Sequence, residues 1–405
     1  MSVNVKLGRN TINGVNVVKL EDATTSGTYH SFNLATSGMY KVTFVVDSST
    51  YTIVEVVQGN SIVAPKQPTK SGYQFISWQV NDSDISFPYT PVADTTITAH
   101  FVAGETCTVA GLGSSSPSSV TFTKSAGWSD TYEKVTINGN TFIKFPTMWR
   151  KVNNVSNNQI TSFTIATAQI DNTYEVYPCF LKEDGVSIMP YVLMGVSCSN
   201  SNTVCNSVDG YTGSSTQTID VGRNNARSLG DGYQIMDWMI FDLWQDLLIC
   251  KMETINTNSG SGITTDSLGI YWGSNYPWID GITHNGSDKT FLFSYKPSKY
   301  VNQATVSTDG YQSCGYTYSG TSGQEISKLG YNATHPFFNY PTATTSNSSY
   351  NSYYCDAFYF GTSGTNPVSS SVGNATANNG AFRCDAVDGW SGTYGVRLCY
   401  RPISE

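Results

Sequence analysis

Alternating apolar and polar positions dominate the first hundred residues. Two such runs, VNVKL and VNVVKL, stand on either side of Asn13-Gly14, a pair that supplies the positive φ angles of a tight hairpin turn. Further runs, among them YKVTFVV and YTIVEVV, continue the alternation. The pattern predicts two small β units, residues 1–38 and 39–103, with no helix longer than a turn or two.

Helical periodicity occurs at two places in the remaining chain. Asp220 precedes VGRNNARSL and Gly230 follows it, which are residue types that begin and end helices. Asp237 precedes WMIFDLWQDLLICKM, in which large apolar residues recur near helical spacing. We therefore expect two helices, the second with one apolar face.

Gly, Ser and Pro crowd the segment GLGSSSPSS at residues 111–119, a composition typical of flexible connectors. We therefore predict a linker over residues 104–119 and one long domain over residues 120–405. Residues 256–371 of that domain are rich in turn formers around one aromatic island, WGSNYPWIDGI. Loops this long inside a domain are usually functional or disordered, and the aromatic content disfavours disorder.

The composition points to a β-rich multidomain protein. Only 13% of the 405 residues are charged, and Gly, Ser, Thr, Asn and Tyr take their place, as in short strands joined by polar turns. The net charge of −8, without a block of Lys or Arg, disfavours nucleic-acid partners. No apolar run is long enough for a signal peptide or a membrane span, so we expect neither.

Nine cysteines form neither a CxxC pair nor a dense disulfide framework. We expect most of them to be buried free thiols, with Cys250 on the apolar face of the second helix. The four histidines, His30, His100, His284 and His335, lie far apart without the spacing of metal ligands. The sequence therefore predicts no metal site and no catalytic motif of the common hydrolase or phosphate-binding types.

Small and polar residues crowd the C-terminal stretch, interleaved with Trp and Tyr. Such residues suit recognition loops, because aromatic side chains give contact area at low entropic cost. We expect Phe382, Val396 and Leu398 to be core residues, and we interpret Arg397 as a structural donor to a carboxylate or a backbone carbonyl. The candidate ligand-binding residues are Asn374, Thr376, Asn378, Asn379, Arg383, Asp385, Asp388, Trp390, Ser391, Thr393 and Tyr394.

These candidate residues also have a structural interpretation. Short polar side chains in loops are often only solvated turn formers, so about half of the positions are expected to touch no ligand. For Trp390, packing in the core and contact with a ligand are equally open alternatives.

One stretch of the second β unit resembles a known repeat. The core Gly72-Tyr73-x-Phe75-x-x-Trp78 and the turn at Thr90-Pro91-Val92 are similar to the Listeria–Bacteroides repeat, a β-grasp module of internalin-type surface proteins. The resemblance implies a spacer or presenting stalk over residues 39–103 that has no chemistry of its own.

The ordered series FIKFPTMWRKV, VYPCFL, RNNARSLGDGYQIMDWMIFDLWQDLL, WIDGI, GAFRCDAVDGW and GVRLC resembles a C-type lectin fold of the formylglycine-generating-enzyme branch. More narrowly, it is similar to the variable proteins of diversity-generating retroelements and their relatives in gut bacteriophages. The resemblance implies an α+β domain with a small sheet, two helices and long loops. It also implies a final strand that carries Gly395-Val396-Arg397-Leu398.

The two resemblances together imply a receptor-binding protein of a bacteriophage tail, located in the virion, with residues 1–38 attaching it to the particle. Its partners would be a host cell-surface protein or glycan and other tail proteins, and its C-terminal loops would be open to diversification by a retroelement. Whether the protein forms a homotrimer and whether it holds a structural Ca²⁺ stay open. Neither a cofactor nor insertion into a membrane is expected.

Two other classes of function compete with this expectation. A bacterial surface adhesin suits the repeat, although an exported adhesin needs a signal peptide and usually an anchor. An enzyme is disfavoured, because the formylglycine-generating enzymes hold copper with a pair of nearby cysteines late in the domain. Here Cys384 and Cys399 stand apart without a close pair.

Overall fold

The computed structural model divides the chain into two compact units. The first comprises Met1–Lys70 and Phe75–Val102, and the second comprises Ser71–Gln74 and Ala103–Glu405. The structure describes residues 8–12, 15–21, 29–32, 38–113, 117–211, 215–255, 257, 265–272, 276–301, 310–321, 323–337, 339–345, 357–360, 365–370, 384–386 and 393–403.

The first unit begins with a three-stranded antiparallel sheet of β1 Gly8–Ile12, β2 Val15–Glu21 and β3 Tyr29–Phe32. Ile12 stands opposite Val15, so the predicted hairpin across Asn13-Gly14 is confirmed by the pairing of its strands. The first arm of the hairpin is β1, whereas the VNVKL run at residues 3–7 lies outside the described residues.

A five-stranded sheet forms the rest of the first unit. Its strands run in the order β5-β4-β8-β6-β7, with β4 and β8 parallel. Val42, Phe44 and Ile97 are fully buried on one face, and the ring centroid of Phe44 lies 4.9 Å from that of Trp78. Burial of alternate residues on one face is the pattern that the sequence predicts. The strands are β4 Met39–Val46, β5 Ser49–Val57, β6 Tyr73–Val80, β7 Ser83–Asp84 and β8 Thr95–Ala103.

The second unit is also β-rich, and two helices lie within its described residues. The helices are α1 Ile219–Arg227 and α2 Trp238–Met252. The strands are β9 Thr106–Ala110, β10 Thr121–Lys124, β11 Glu133–Ile137, β12 Asn140–Pro146, β13 Trp149–Ser156, β14 Gln159–Ala166, β15 Glu175–Val176, β16 Tyr191–Gly195, β17 Thr216–Gln217, β18 Tyr233–Ile235, β19 Trp278–Asn285, β20 Thr290–Phe293, β21 Gln312–Thr317, β22 Gln324–Leu329, β23 Pro341–Thr345, β24 Ala357–Phe360, β25 Thr365–Ser370, β26 Cys384–Ala386, β27 Tyr394–Gly395 and β28 Leu398–Tyr400.

These strands form several sheets, with β28 at the centre of one of them. Two five-stranded sheets run in the orders β10-β9-β14-β13-β15 and β11-β12-β16-β28-β18. A larger sheet runs β21-β20-β19-β25-β26-β24-β22-β23, and β17 pairs with β27. The last strand of the chain therefore lies between β16 and β18, where it is hydrogen-bonded on both sides.

The predicted linker over residues 104–119 is wrong. It contains β9, which pairs with β14 so that Cys107 stands opposite Ile165, and which also pairs with β10. Cys107 and Val109 are fully buried, because the alternation in TCTVA provides a core face. The Gly- and Ser-rich residues that follow only connect two paired strands, and the second unit begins at Ala103.

Both predicted helices are present, with two corrections. Asp237 caps α2 as expected, since its side chain accepts a hydrogen bond from the backbone N–H of Ile240 at 3.0 Å. The cap of α1 is Thr218, and Asp220 lies in the first turn, where a carboxylate favours the helix dipole. Helix α2 is buried on all sides and not on one apolar face alone, because every residue from Trp238 to Cys250 is buried. The helix runs through the core.

Two carboxyl groups of α2 lie in this core with different surroundings. Asp246 accepts hydrogen bonds from the Tyr177 hydroxyl at 2.7 Å and the Asn339 side chain at 2.8 Å, and it lies 3.3 Å from Nε of Arg150. Asp242, one turn earlier, has no well-formed hydrogen bond to either oxygen among the described residues. Burial raises the pKa of Asp242 well above its ordinary value, the nearby charge of Asp246 raises it further, and Arg150 opposes the shift.

We predict that Asp242→Asn stabilises the protein at pH 8 by about 1 to 3 kcal/mol, because an amide needs no ionisation in the core. The carboxyl in the folded chain holds its proton to a higher pH than in the unfolded chain. Its contribution to stability is therefore complete below a pH of about 4 and is lost as the pH rises through the raised pKa. Denaturant unfolding between pH 4 and 8 measures both effects.

The matched control is Asp246→Asn, which leaves the guanidinium of Arg150 without its carboxylate and should destabilise the protein by about 3 to 5 kcal/mol. A destabilised Asp242→Asn variant, with the pH dependence of the natural protein, would contradict the assignment of a neutral Asp242.

Seven cysteine thiols are free and buried: Cys107, Cys179, Cys198, Cys205, Cys250, Cys314 and Cys399. The expectation for Cys250 is therefore confirmed, and its thiol lies beside that of Cys107. Burial raises the pKa of both Cys198 and Cys250. Cys355 and the side chain of Cys384 lie outside the described residues.

These seven thiols should react slowly with a maleimide in the native protein and completely in denaturant without reductant, because the reactive thiolate is suppressed and shielded by burial. Intact-mass spectrometry counts the labels. If labelling in denaturant is incomplete and becomes complete only after reductant is added, the protein contains disulfides, and the expectation is contradicted.

Candidate functional site

The closing strand is fixed by a buried arginine. Arg397 is fully buried, and its guanidinium donates hydrogen bonds to the carbonyl oxygens of Gly195 at 2.7 Å and Tyr271 at 2.6 Å. Its Cζ lies 4.5 Å from the ring centroid of Trp272. No carboxylate of the described chain lies within salt-bridge distance. The predicted structural role of Arg397 is confirmed, with carbonyl oxygens as its acceptors.

A single carboxylate connects this arginine to helix α2. The indole N–H groups of Trp272 and Trp244 both donate to Oδ2 of Asp266 at 2.8 Å. The backbone N–H groups of Leu268 and Ile270 donate to its other oxygen at 2.9 and 3.0 Å. Burial raises the pKa of Asp266, and the four hydrogen bonds oppose that shift. Sequence reasoning missed this residue, because the partner that connects it to α2, Trp244, lies 22 residues away in the chain.

The flanking residues of Arg397 point into the core as predicted. Val396 and Leu398 are both fully buried. Helix α1 packs tightly against the residues that join β27 to β28, because a Cβ at Gly222 would lie 2.4 Å from Cγ1 of Val396. Glycine is therefore required at this crossing, and the position of α1 depends on it.

Tyr394 does not point outward as expected. It is half-buried, its ring centroid lies 4.6 Å from that of Trp278, and Tyr276 packs beside it at 6.3 Å. We call these three residues the Trp278 cluster. Trp278 is fully buried and donates its indole N–H to the carbonyl oxygen of Gln217 at 2.8 Å. A tyrosine beside this indole gains apolar contact, which explains the correction.

Strand pairing brings Asp385 to the same region. In β26, Asp385 stands opposite Ser369 of β25, and Ser369 stands opposite Trp278 of β19. Two strand spacings separate the backbones of Asp385 and Trp278, a distance of about 10 Å. On the other side, Tyr394 pairs with Gln217 in β27 and β17. Both ends of the segment 387–392 are therefore held by strands next to the Trp278 cluster.

Thr393 is exposed beside Tyr394. The backbone of Asp385 is described and its side chain is not. The other predicted site residues lie outside the described residues: Asn374, Thr376, Asn378, Asn379, Arg383, Asp388, Trp390 and Ser391. Phe382 lies outside them too.

A buried ion pair fixes strand β19, which carries Trp278, to helix α1. Arg223 of α1 donates two hydrogen bonds to Asp280, with Nε–Oδ2 and Nη2–Oδ1 distances both 2.8 Å. Asp280 lies two residues after Trp278 on the same strand. The bidentate pair fixes α1 to β19 with more geometric specificity than a lysine would give. Its sequence signals, an Arg in RNNAR and an Asp in WIDGI, are too far apart to pair by inspection.

Within the described part of the chain, no group of three His, Cys, Asp or Glu side chains is arranged to hold a metal ion. No helix described here is long and apolar enough to cross a bilayer.

The first unit has recognisable relatives. Residues 40–102 match the Listeria-Bacteroides repeat domain family. The match covers strands β4 to β8 within one residue of each end of the predicted repeat, so that prediction is confirmed. No curated protein matches the chain.

We predict that Arg397→Lys destabilises the protein by about 2 to 4 kcal/mol, because one ammonium cannot replace a fork that donates to two carbonyls while stacking on an indole. Denaturant unfolding measures the loss. The control is Arg227→Lys, an exposed arginine that donates to the carbonyl of Pro297 at 2.6 Å. That substitution should change the free energy of unfolding by less than about 0.5 kcal/mol. Equal effects of the two substitutions would show that Arg397 does not organise the unit.

Proposed function

We propose that this protein is a receptor-binding protein of a bacteriophage tail, which recognises a ligand on the host surface through C-terminal loops of a C-type lectin-like domain. The observation that carries the proposal is the position of strands β26 and β27 beside the buried Trp278 cluster. In the sequence, these two strands stand before and after the segment that contains Asp388, Trp390 and Ser391. Loops positioned by a rigid scaffold lose less entropy on binding, which favours recognition.

Several features of the second unit support a C-type lectin-like domain. Two helices lie beside a small sheet, and its closing strand follows directly on Gly395-Val396-Arg397. The buried Val396, Arg397 and Leu398 give this motif a structural function that suits the variable-protein resemblance. The resemblance concerns fold, and a function taken from it rests on analogy.

In the proposed particle, residues 1–38 attach to other tail proteins and the repeat at 39–103 acts as a spacer. The ligand is a protein or glycan of the host surface. The repeat match to residues 40–102 supports the spacer, because a module of this size with its own core can stand between an attachment element and a binding domain.

The same repeat favours a second candidate, a bacterial surface adhesin. The two candidates differ in location: a tail protein is present in purified virions, whereas an adhesin is recovered from the bacterial cell surface. An enzyme of the formylglycine-generating type is disfavoured because Cys384 and Cys399 stand apart in the sequence without a close pair.

The proposal predicts that Trp390→Ala weakens attachment to host cells by about 2 kcal/mol or more, since truncating a central aromatic contact removes much of the binding energy. Asp388→Ala and Thr393→Ala should weaken attachment less, and all three should leave the melting temperature nearly unchanged. Flow cytometry with the labelled full-length protein on host cells measures attachment.

Leu398→Ala is the control for folding, because truncating this core side chain should lower the free energy of unfolding by about 2 to 5 kcal/mol. Tyr394 is unsuitable for the binding test, since it packs on Trp278. Full attachment by the combined variant of Asp388, Trp390 and Thr393 would place the binding surface elsewhere.

A further inference from the structure

The second unit contains a small cleft between the β15 region and the segment 331–337. Its volume is about 120 Å³, and its lining includes Thr173 and Glu175 on one wall and Tyr331, Pro336 and Phe337 on the other. This volume equals about four water molecules. The cleft can therefore take the end of one side chain rather than a folded segment.

Both walls of the cleft are pre-formed. Asp171 accepts hydrogen bonds from the backbone N–H of Thr173 at 2.7 Å and from its hydroxyl at 2.5 Å. Opposite, the Asn332 side chain donates to the carbonyl of Cys314 at 3.0 Å and accepts from the N–H of Thr334 at 2.8 Å. A ligand would therefore pay little to order either wall.

The arginine in the cleft has no free charge to offer. Arg150 is almost fully buried, and its fork donates to the Pro336 carbonyl at 3.3 Å and to Oδ1 of Asn339 at 3.2 Å. Its Nε lies 3.3 Å from Asp246, and its Cζ lies 4.4 Å from the ring centroid of Phe163. An anionic ligand would have to displace these partners.

The remaining charges leave the cleft negative. Glu175 stands opposite Arg150 in the pairing of β15 with β13, yet the arginine turns inward to Asp246. Glu175 is exposed and has no ion pair among the described residues. Asp171 is also anionic, because its hydrogen bonds with Thr173 lower its pKa, and Lys151 lies close enough to oppose its charge. Glu175 is thus the uncompensated charge of the site.

We propose that this cleft binds a primary ammonium on an unbranched aliphatic stem, such as a lysine side chain presented by a partner protein. The carboxylate of Glu175 accepts the ammonium, and Thr173 offers the lone pairs of an oxygen whose proton is donated to Asp171. The methylene stem lies along Pro336 and the rings of Tyr331 and Phe337. None of the residues described in the lining belongs to the C-terminal stretch, so the inference does not depend on the proposed function.

The test uses full-length protein and Nα-acetyl-lysine N-methylamide as the probe, with ligand-observed NMR or calorimetry as the measurement. The probe should bind in the millimolar range, and its norleucine analogue, which has the stem without the charge, should not. Glu175→Gln should weaken binding by about fivefold, the effect of removing one partly exposed charge pair.

Glu55→Gln, an exposed carboxylate of the first unit, is the matched control and should bind the probe like the natural protein. Equal melting temperatures of the two variants would show that the fold is retained. Choline is a further control, because its quaternary ammonium has no N–H to donate. The inference is overturned if the norleucine analogue or choline binds as well as the lysine probe, if Glu175→Gln leaves binding unchanged, or if the natural protein does not bind the probe at millimolar concentration.

Discussion

The buried guanidinium of Arg397 is the constraint on which the end of the chain depends. A cation in the core is costly unless it is well compensated. The carbonyls of Gly195 and Tyr271 accept hydrogen bonds from the two terminal nitrogens of Arg397, and the ring of Trp272 lies against its guanidinium, whereas Nε has no hydrogen-bond partner among the described residues. The acceptors come from β16 and from the loop before β19. One side chain thereby fixes the register of the closing strand against two distant segments, and Asp266 extends the connection to α2.

Polar residues inside the core repeat this principle with different partners. Arg223 is paired with Asp280, and Arg150 with Asp246, each from a different segment of the chain. Removing one partner would leave a buried charge, so such pairs specify the arrangement more than they stabilise it. Asp242 is the exception, because burial and the nearby Asp246 raise its pKa, and neither of its oxygens has a well-formed hydrogen bond among the described residues.

Under the proposed function, the second unit separates support from recognition. Buried pairs and indole hydrogen bonds hold α1, α2 and β19 in place, and the proposed ligand surface begins at Asp385 in β26 and at Thr393, the residue before β27. Substitutions in the support should therefore change stability, whereas substitutions at the edge should change binding. The lysine cleft would add a second recognition point on walls that are equally pre-formed.

Local signals in the sequence determined much of this protein. The alternation of apolar and polar residues predicts the strands of the first unit, and Asn13-Gly14 predicts the hairpin. Asp237 predicts the start of α2, and the GVRL motif predicts a buried end of the chain. Each of these features depends on neighbours within a few positions of the sequence. Only the tertiary structure decided that β9 belongs to a sheet, that α2 is buried on all sides, and that Tyr394 packs on Trp278. These features need contacts between residues far apart in the chain, which only the folded topology brings together.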